Sequence, residues 1–420
     1  VSVLVLACVA FVAGAQAPGT PPLVKDPNVA KAMTAAARTL LESVRGAPEF
    51  SERLRNYSME DRLLLKLEDP QRPQWVYWPA DRSGLSIALM HAKHRALLHE
   101  LLWTLTSAKG YQKLLNIMQL ENFLEATSST GFPRGIEAYT VTLFGEPRDD
   151  APWAWRFEGH HLSLSITVAP GQGFTVTPTF LGADPAEVPF GPLAGVRVLR
   201  VEEDLGRQLI TSLTDAQRKV AVLKGDADFN AKAGYKYDYD APWDLHASNI
   251  MKPRGEWDAW KTELKPDGIA FSALNGAQQA TLLALLDEMF TTYRPEVASV
   301  YRQSLDLDAL KFAWIGGLRK GEPHYYRVQG KDFVFEYDNA QGKYVGTWMD
   351  TLGTGIMNSV GVGKPTDNAF DWYETQLRTP LPSQVAADPD KLFVSVTAPL
   401  AEAVKVESAG DVEEGTTYGL

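Results

Sequence analysis

The sequence predicts an α+β fold: two sequence-related halves, each helical with an antiparallel hairpin sheet, packed as one globule. Three observations predict it. Helix-period and strand-period stretches occupy separate blocks, with the texture changing at Ile136. Residues 153–168, "WAWRFEGHHLSLSITV", alternate apolar and polar residues around a Glu-Gly step, as the arms of a hairpin do. Finally, the succession helix, strand, Gly-Glu-Pro, strand, x-Gly, strand occurs twice in the same order.

The elements follow in order. Residues 3–12 are almost purely apolar and lead into small residues, the pattern of a secretory signal cut after Ala15 or Ala17, with Pro18 disfavouring the second. No Met and no basic residue stand ahead of that run, so further residues are expected before Val1. Residues 18–27 are Pro-rich, and Asp26-Pro27-Asn28 forms a cap signal before the Ala-rich helical stretch "VAKAMTAAARTLLESV". An aromatic, turn-rich segment, "WVYWPADRSGL", precedes a second helix over about 86–107, with Leu97, Leu98, Leu101 and Leu102 as its apolar stripe. A third helix covers about 112–126. After the strands from Ile136 come Gly- and Pro-rich loops to Gly195, then a helical run from about Val201 through "SLTDAQRKVAVL". Residues 225–270 read as irregular, "SALNGAQQATLLALLDEMFTTY" as helix, and "LKFAWIGGL" and "PHYYRVQGKDFVFEYD" as strands. The division expected is 1–17 signal peptide, 18–44 linker and start of the first helix, 45–225 first half, 226–375 second half and 376–420 tail.

Composition narrows the functional classes. The 420 residues are 45% hydrophobic and 22% charged, ordinary for a globular protein long enough for a large core. A net charge of -11 without a dense Lys/Arg cluster argues against nucleic acid as partner. Cys8 is the only cysteine and lies within the signal segment, so a mature chain has no disulfide, thiol nucleophile or thiolate zinc site. No later apolar run would span a bilayer, so the expectation is an exported chain, periplasmic or extracellular, without a membrane anchor after signal removal. Oligomeric state is not legible.

The repeated order fixes an expected register. With Glu158-Gly159 as the turn, Phe157 pairs with His160, Trp155 with Leu162 and Trp153 with Leu164, giving an apolar face. With Gln329-Gly330 as the second turn, Val328 pairs with Lys331, Tyr326 with Phe333 and His324 with Phe335. On the opposite, polar face Arg156 meets His161 and Arg327 meets Asp332. In this register His160, His161 and His324 converge only if the two halves pack against each other.

Seven histidines serve the whole chain, and two stand together at this turn. A metal site is the sharpest reading: His160, His161 and His324 as imidazole ligands, with Glu158, Glu336 or Asp338 supplying oxygen. Imidazole with carboxylate suits zinc, copper or iron, and an open position permits hydrolysis or oxygen chemistry. The competing reading is structural, with His160 capping the core and His161 bonding beside Glu158. Arg156 and Arg327 occupy equivalent places before the two turns, as an anion clamp or as partners in cross-strand ion pairs. No catalytic residue is assigned.

Other features are weaker. His91, His94 and His99 share the second helix without a carboxylate at metal-site spacing. "GDADFN" begins like a calcium loop but has Ala231 where Gly belongs and Tyr237 where Glu belongs. "GVGKPT" fails as a phosphate loop, and no Gly-x-Ser-x-Gly elbow occurs. Asn56-Tyr57-Ser58 is a glycosylation sequon. The aromatic clusters "WVYW", "WAW" and "YKYDYDAPWDLH" keep a second class open, a non-catalytic extracytoplasmic protein binding carbohydrate, peptide or a small molecule.

Three segments carry a resemblance: "PWAWRFEGHHLSLSITV", "GADPAEVPFGPLAGVRVLRVEEDLGRQLITSL" and "GEPHYYRVQGKDFVFEYDN". Over about residues 45–375 the chain resembles the domain of unknown function 3500 family. The resemblance implies no assigned activity, and an export signal is common among the members. One departure matters: where the family often has a His-x-His step before a Trp, this chain has Lys343 and Val345. If the family site is a histidine-rich metal centre, part of it is missing here.

Overall fold

A computed structural model describes residues 23–45, 58–72, 82–127, 134–177, 179–223, 267–322, 324–331, 333–339 and 345–350. The signal segment with Cys8, Asn56, the calcium-like and phosphate-loop-like stretches, Lys343, the tail and two of the three aromatic clusters lie outside them.

The fold is α+β. Helix α1 (Pro27–Arg45) begins where Asp26 Oδ1 accepts the Asn28 and Val29 amides at 2.9 and 3.0 Å. It buries Met33, Ala37, Leu40, Leu41 and Val44 on one face. A capping box at Ser58 starts the short α2 (Met59–Leu63), which runs into strand β1 (Leu64–Leu65). Strand β2 (Leu85–Ser86) leads to a 3-10 turn (Ile87–Leu89), then α3 (Ala92–Trp103) and α4 (Ala108–Thr127). The single helix expected over 86–107 is therefore shorter. Ser86 Oγ caps the 3-10 turn through the Ala88 amide, and Met90 and His91 are extended before α3 begins.

Strands β3 (Thr140–Phe144), β4 (Trp153–Glu158), β5 (Leu162–Ala169), β6 (Gly173–Thr175) and β7 (Thr179–Ala183) follow. After them come α5 (Arg200–Ser212) and α6 (Asp215–Ala221), separated at an extended Leu213 by the Thr214 capping box. Then come β8 (Ile269–Ala270), a 3-10 turn (Phe271–Ala273), α7 (Gly276–Phe290), α8 (Pro295–Gln303), β9 (Lys311–Gly316), β10 (His324–Gln329), β11 (Val334–Asn339) and β12 (Val345–Asp350).

The strands join one sheet in the order β1-β3-β4-β5-β7-β12-β11-β10-β9-β8, with β2 on β3 and β6 on β5. All pairings between these strands are antiparallel except β1 with β3. The two halves meet at β7 and β12, Thr347 opposite Leu181. They meet again at the turns after α3 and α7, where Thr106 bridges Tyr293. A single hydrophobic cluster reaches from Val24 to Tyr337 across both halves. Within it Trp155 Nε1 donates to Met33 Sδ at 3.0 Å, anchoring α1 on the first hairpin.

The halves use the same local devices. Gly84 before β2 and Gly268 before β8 have φ of +113° and +105°. A Cβ at Gly84 would fall 2.9 Å from the Val141 carbonyl oxygen, and one at Gly268 2.2 Å from that of Phe312. Val141 and Phe312 hold corresponding places, opposite Leu85 and Ile269 respectively.

The hairpins correct the expected register. Phe157 faces Leu164 rather than His160, and Trp155 faces Ile166 rather than Leu162. Val328 faces Phe335 rather than Lys331. The slip is even, so every residue keeps its face while its partner changes. Gly159 N–H donates to the Leu162 carbonyl at 2.8 Å and Gly330 N–H to that of Phe333 at 3.0 Å. His160 and His161 are thus the two central residues of the first turn. Neither Gly159 nor Gly330 has a positive φ. Gly is needed at 159 for room, since a Cβ there would lie 2.3 Å from the Tyr139 ring.

The expected polar face is also revised. Every residue of β4 and of β10 is buried, while β5 leaves Ser165, Thr167 and Ala169 half-buried on the Arg156 side. Arg156 lies opposite Ser165, not His161, and donates to the carbonyls of Gln71 and Arg72, which follow β1.

Candidate metal centre

Three donor atoms meet at the first hairpin turn. His160 Nδ1 and His161 Nδ1 lie 2.8 and 2.9 Å from the same atom, Glu121 Oε1. Among the described residues this is the one group of three metal-capable side chains whose ligand atoms all lie within 4.8 Å of one another. All three residues are buried, at 5%, 1% and 1% exposure.

The turn explains why neighbouring histidines share a target. Along a strand they would point to opposite faces. As central turn residues their rings stack, with centroids 3.6 Å apart and planes at 30°. The turn is clamped from both sides. Gly182 N–H of β7 donates to the His161 carbonyl at 2.7 Å, and Tyr139 fills the space beside Gly159 while stacking on Phe157.

Glu121 comes from α4, whose inner face carries Leu114, Ile117, Met118 and Leu124. It sits four residues after Ile117 and three before Leu124, at a position helical periodicity reserves for an apolar side chain. The next residue, Asn122, accepts the Ile136 amide at 3.0 Å, which straps the segment before β3 along the helix. That strap brings Arg134 to the site, with Nη1 2.8 Å from His160 Nδ1 and 3.9 Å from Glu121 Oε2.

Burial sets the charge states. It pushes the His160 imidazole down to about 3, with His161 adding to the effect, and it lowers His161 as well. Burial by itself would raise the Glu121 carboxyl, but the two imidazole contacts outweigh it and hold it far below the ordinary carboxylate range. At neutral pH the cluster is one carboxylate and two neutral imidazoles, the protonation states metal ligands require.

The hydrogen-bond roles at His160 Nδ1 conflict among the described residues. If His160 Nδ1 bears a proton for Glu121, it opposes an Arg134 N–H at 2.8 Å, donor against donor. If Nδ1 is bare and accepts from Arg134, it sets a lone pair against the Glu121 oxygen. An ion in front of the three atoms would take both lone pairs and the carboxylate oxygen together. Ligands of a tetrahedral ion are about 3.4 Å apart at zinc–nitrogen and zinc–oxygen distances of about 2.0–2.2 Å, so the donors would part by roughly half an ångström.

The remaining candidate residues lie elsewhere. Glu158 is paired with Arg156 at 2.9 Å and lies 3.9 Å from Arg82. His324 stands apart from the three-residue group: it stacks on Trp314 at 4.8 Å and 7°, and its Nδ1 donates to the Glu322 carbonyl at 2.9 Å. Arg327 is buried on β10 opposite Glu336, which accepts a short bond from Tyr325 Oη. Asp338 is opposite Tyr325 in β11. On α3, His91 is the N-cap, His94 is buried, and His99 Nδ1 lies 2.9 Å from Tyr111 Oη.

Glu121 and Arg134 are the residues sequence reasoning missed. For Glu121 a signal existed, a carboxylate on the apolar stripe of a helix. Arg134 gave none, because its place depends on the Asn122 strap.

With this geometry established, comparison with known families places the chain: it belongs to the family described as protein of unknown function (DUF3500), whose model matches residues 28–354. Curated proteins and solved structures gave no match.

Proposed function

We propose that this protein is a metal-dependent enzyme whose centre is one divalent transition ion held by Glu121, His160 and His161. The observation that carries the reading is the meeting of two imidazole nitrogens and a carboxylate oxygen at 2.8–2.9 Å in a buried turn. Two histidines and one carboxylate form the donor set of catalytic rather than structural sites, since three protein ligands leave a position for water or substrate. At that position an ion would acidify a bound water or polarise a substrate oxygen, and zinc and ferrous iron both suit the donors. The absence of cysteine from 18–420 fits a site built without thiolate.

The same devices in the two halves, down to Gly84 and Gly268, support descent by internal duplication. On that reading the site belongs to one copy, because the place of His160 and His161 is taken in the second hairpin by Lys331 and Asp332. Export is likewise proposed, on the apolar run 3–12 and the small residues after it. It predicts a secreted product beginning after Ala15 or Ala17, read by terminal sequencing; an intact terminus in the cytoplasm would refute it.

The carbohydrate-binding alternative has lost its described platform. Trp153 and Trp155 are 0% and 1% exposed and belong to the core.

Elemental analysis of the purified protein tests the metal reading. One zinc or iron per chain, lost in His161→Ala while the circular dichroism is kept, is the expected result. Wild-type protein that takes up no ion from zinc, ferrous or cupric solutions would sink the proposal.

A further inference from the structure

We propose that the open position of this centre takes a small oxyanion, a carboxylate or phosphate group of the substrate, clamped against the ion by the guanidinium of Arg134. The inference rests on the metal reading and names the substrate class of the same site.

Arg134 is the ground for it. Its side chain is 8% exposed, and its Nη1 is directed at the donor atoms, 2.8 Å from His160 Nδ1 and 3.9 Å from Glu121 Oε2. Its Nε is buried and makes no hydrogen bond among the described residues. When an ion takes the His160 lone pair and the Glu121 charge, Nη1 loses the acceptor it has now. A guanidinium has five donors and no acceptor, so burial beside a cation is costly unless an anion accepts from it. The group that meets both demands has at least two oxygens, one for the ion and one or two for the guanidinium fork, as carboxylates and phosphates have.

The surroundings favour the same sign. Among the described residues around the turn stand three buried guanidiniums, Arg82, Arg134 and Arg156, against two carboxylates, Glu121 and Glu158. A divalent ion held there adds positive charge beside Arg134, which an oxyanion would offset. Arg156 is committed to Glu158 and to two backbone carbonyls, and Arg82 stands beside Glu158. That leaves Arg134 as the cation nearest the donor atoms. Among the described residues its closest carboxylate contact is Glu121 Oε2 at 3.9 Å, beyond hydrogen-bond reach, so its N–H groups are available to an oxyanion on the ion.

The experiment uses the full chain loaded with Co(II), whose visible absorption reports its coordination, titrated with inorganic phosphate and with acetate. The expected result is a saturable change in the Co(II) spectrum at one anion per chain. Arg134→Gln should bind the anion roughly 10–100-fold more weakly, the cost of losing charge-assisted hydrogen bonds, while holding one Co(II). Arg134→Lys should recover only part of that loss, because an ammonium does not reproduce the fork. Bound Co(II) whose spectrum neither anion alters would overturn the inference and leave the metal reading standing. So would an Arg134→Gln protein with wild-type anion affinity. Failure of the wild type to bind Co(II) at all would remove both, and the stoichiometry tells the two failures apart.

Discussion

His324 supplies a quantitative prediction, on how stability varies with pH. The ring is 0% exposed, stacked between Trp314 at 4.8 Å and Tyr337 at 5.6 Å. Nδ1–H is used by the Glu322 carbonyl, and Nε2 has no hydrogen-bond partner among the described residues. Protonation would therefore place a buried N–H⁺ without an acceptor. Burial pushes this imidazole down to about 4, the Arg207 charge acts the same way, and Glu203 opposes in part. A folded-state value below the unfolded one means that the unfolded chain binds the proton first. The stabilisation is then complete above the ordinary 6.5, and it is lost as pH falls through the folded value. The span corresponds to about 3 kcal/mol at full loss, of which about 2 kcal/mol is gone by pH 5, at ~1.4 kcal/mol per pH unit. His324→Phe keeps the stacked ring and removes the titration, at a pH-independent cost of about 1 kcal/mol for the lost hydrogen bond. Urea unfolding of both proteins at pH 7.5 and pH 5.0 isolates the term, since every other titrating group cancels in the double difference. The wild type should lose about 2 kcal/mol more than the variant over that interval. Equal losses in the two proteins would refute the reasoning.

Further predictions follow from the site and its supports. Glu121→Gln should weaken zinc by more than the ~10–100-fold that loss of a supporting hydrogen bond costs a metal site, measured by chelator competition; unchanged affinity would exclude Glu121 as a ligand. Gly159→Ala drives a Cβ to 2.3 Å from the Tyr139 ring and should cost about 1–3 kcal/mol in urea unfolding. Substitution at Gly276, where a Cβ meets nothing within 4 Å and φ is not positive, lacks that clash and serves as the comparison. Lys113 joins Glu202 at 2.6 Å and Glu288 at 2.8 Å, all buried, so Lys113→Met should destabilise by about 3–5 kcal/mol by leaving buried carboxylate unpaired. A shift below about 1 kcal/mol would mean that those carboxylates are neutral or hydrated.

The hairpins show what kind of information a sequence carries. Alternation assigned faces correctly in "WAWRFEGHHLSLSITV", because side-chain direction has a strict period of two. It did not assign partners. Placing the turn at Glu158-Gly159 assumed that Gly serves positive φ, whereas here Gly159 makes room for Tyr139, a contact no local rule contains. Helix ends slipped for a similar reason: Leu98, Leu101 and Leu102 announced α3, but the extended Met90 and His91 ahead of it did not show in the apolar pattern. The second face of β4 is polar, with Arg156 and Glu158, but it is buried, because Arg156 is covered by the segment after β1, about 85 residues earlier.

What the sequence by itself determined is the class of the fold, the faces of the strands, the family and the pair of histidines, since each is written in local periodicity or in short motifs. The tertiary structure alone decided the rest of the site. It set His160 and His161 at the centre of a turn so that both rings face one way, brought Glu121 to them from α4, and left His324 with partners of its own in the other half. A ligand set is a property of distances between segments, 39 and 40 residues apart for Glu121 and its histidines. Those distances are fixed by packing α4 against β5 and β7, which no local pattern encodes.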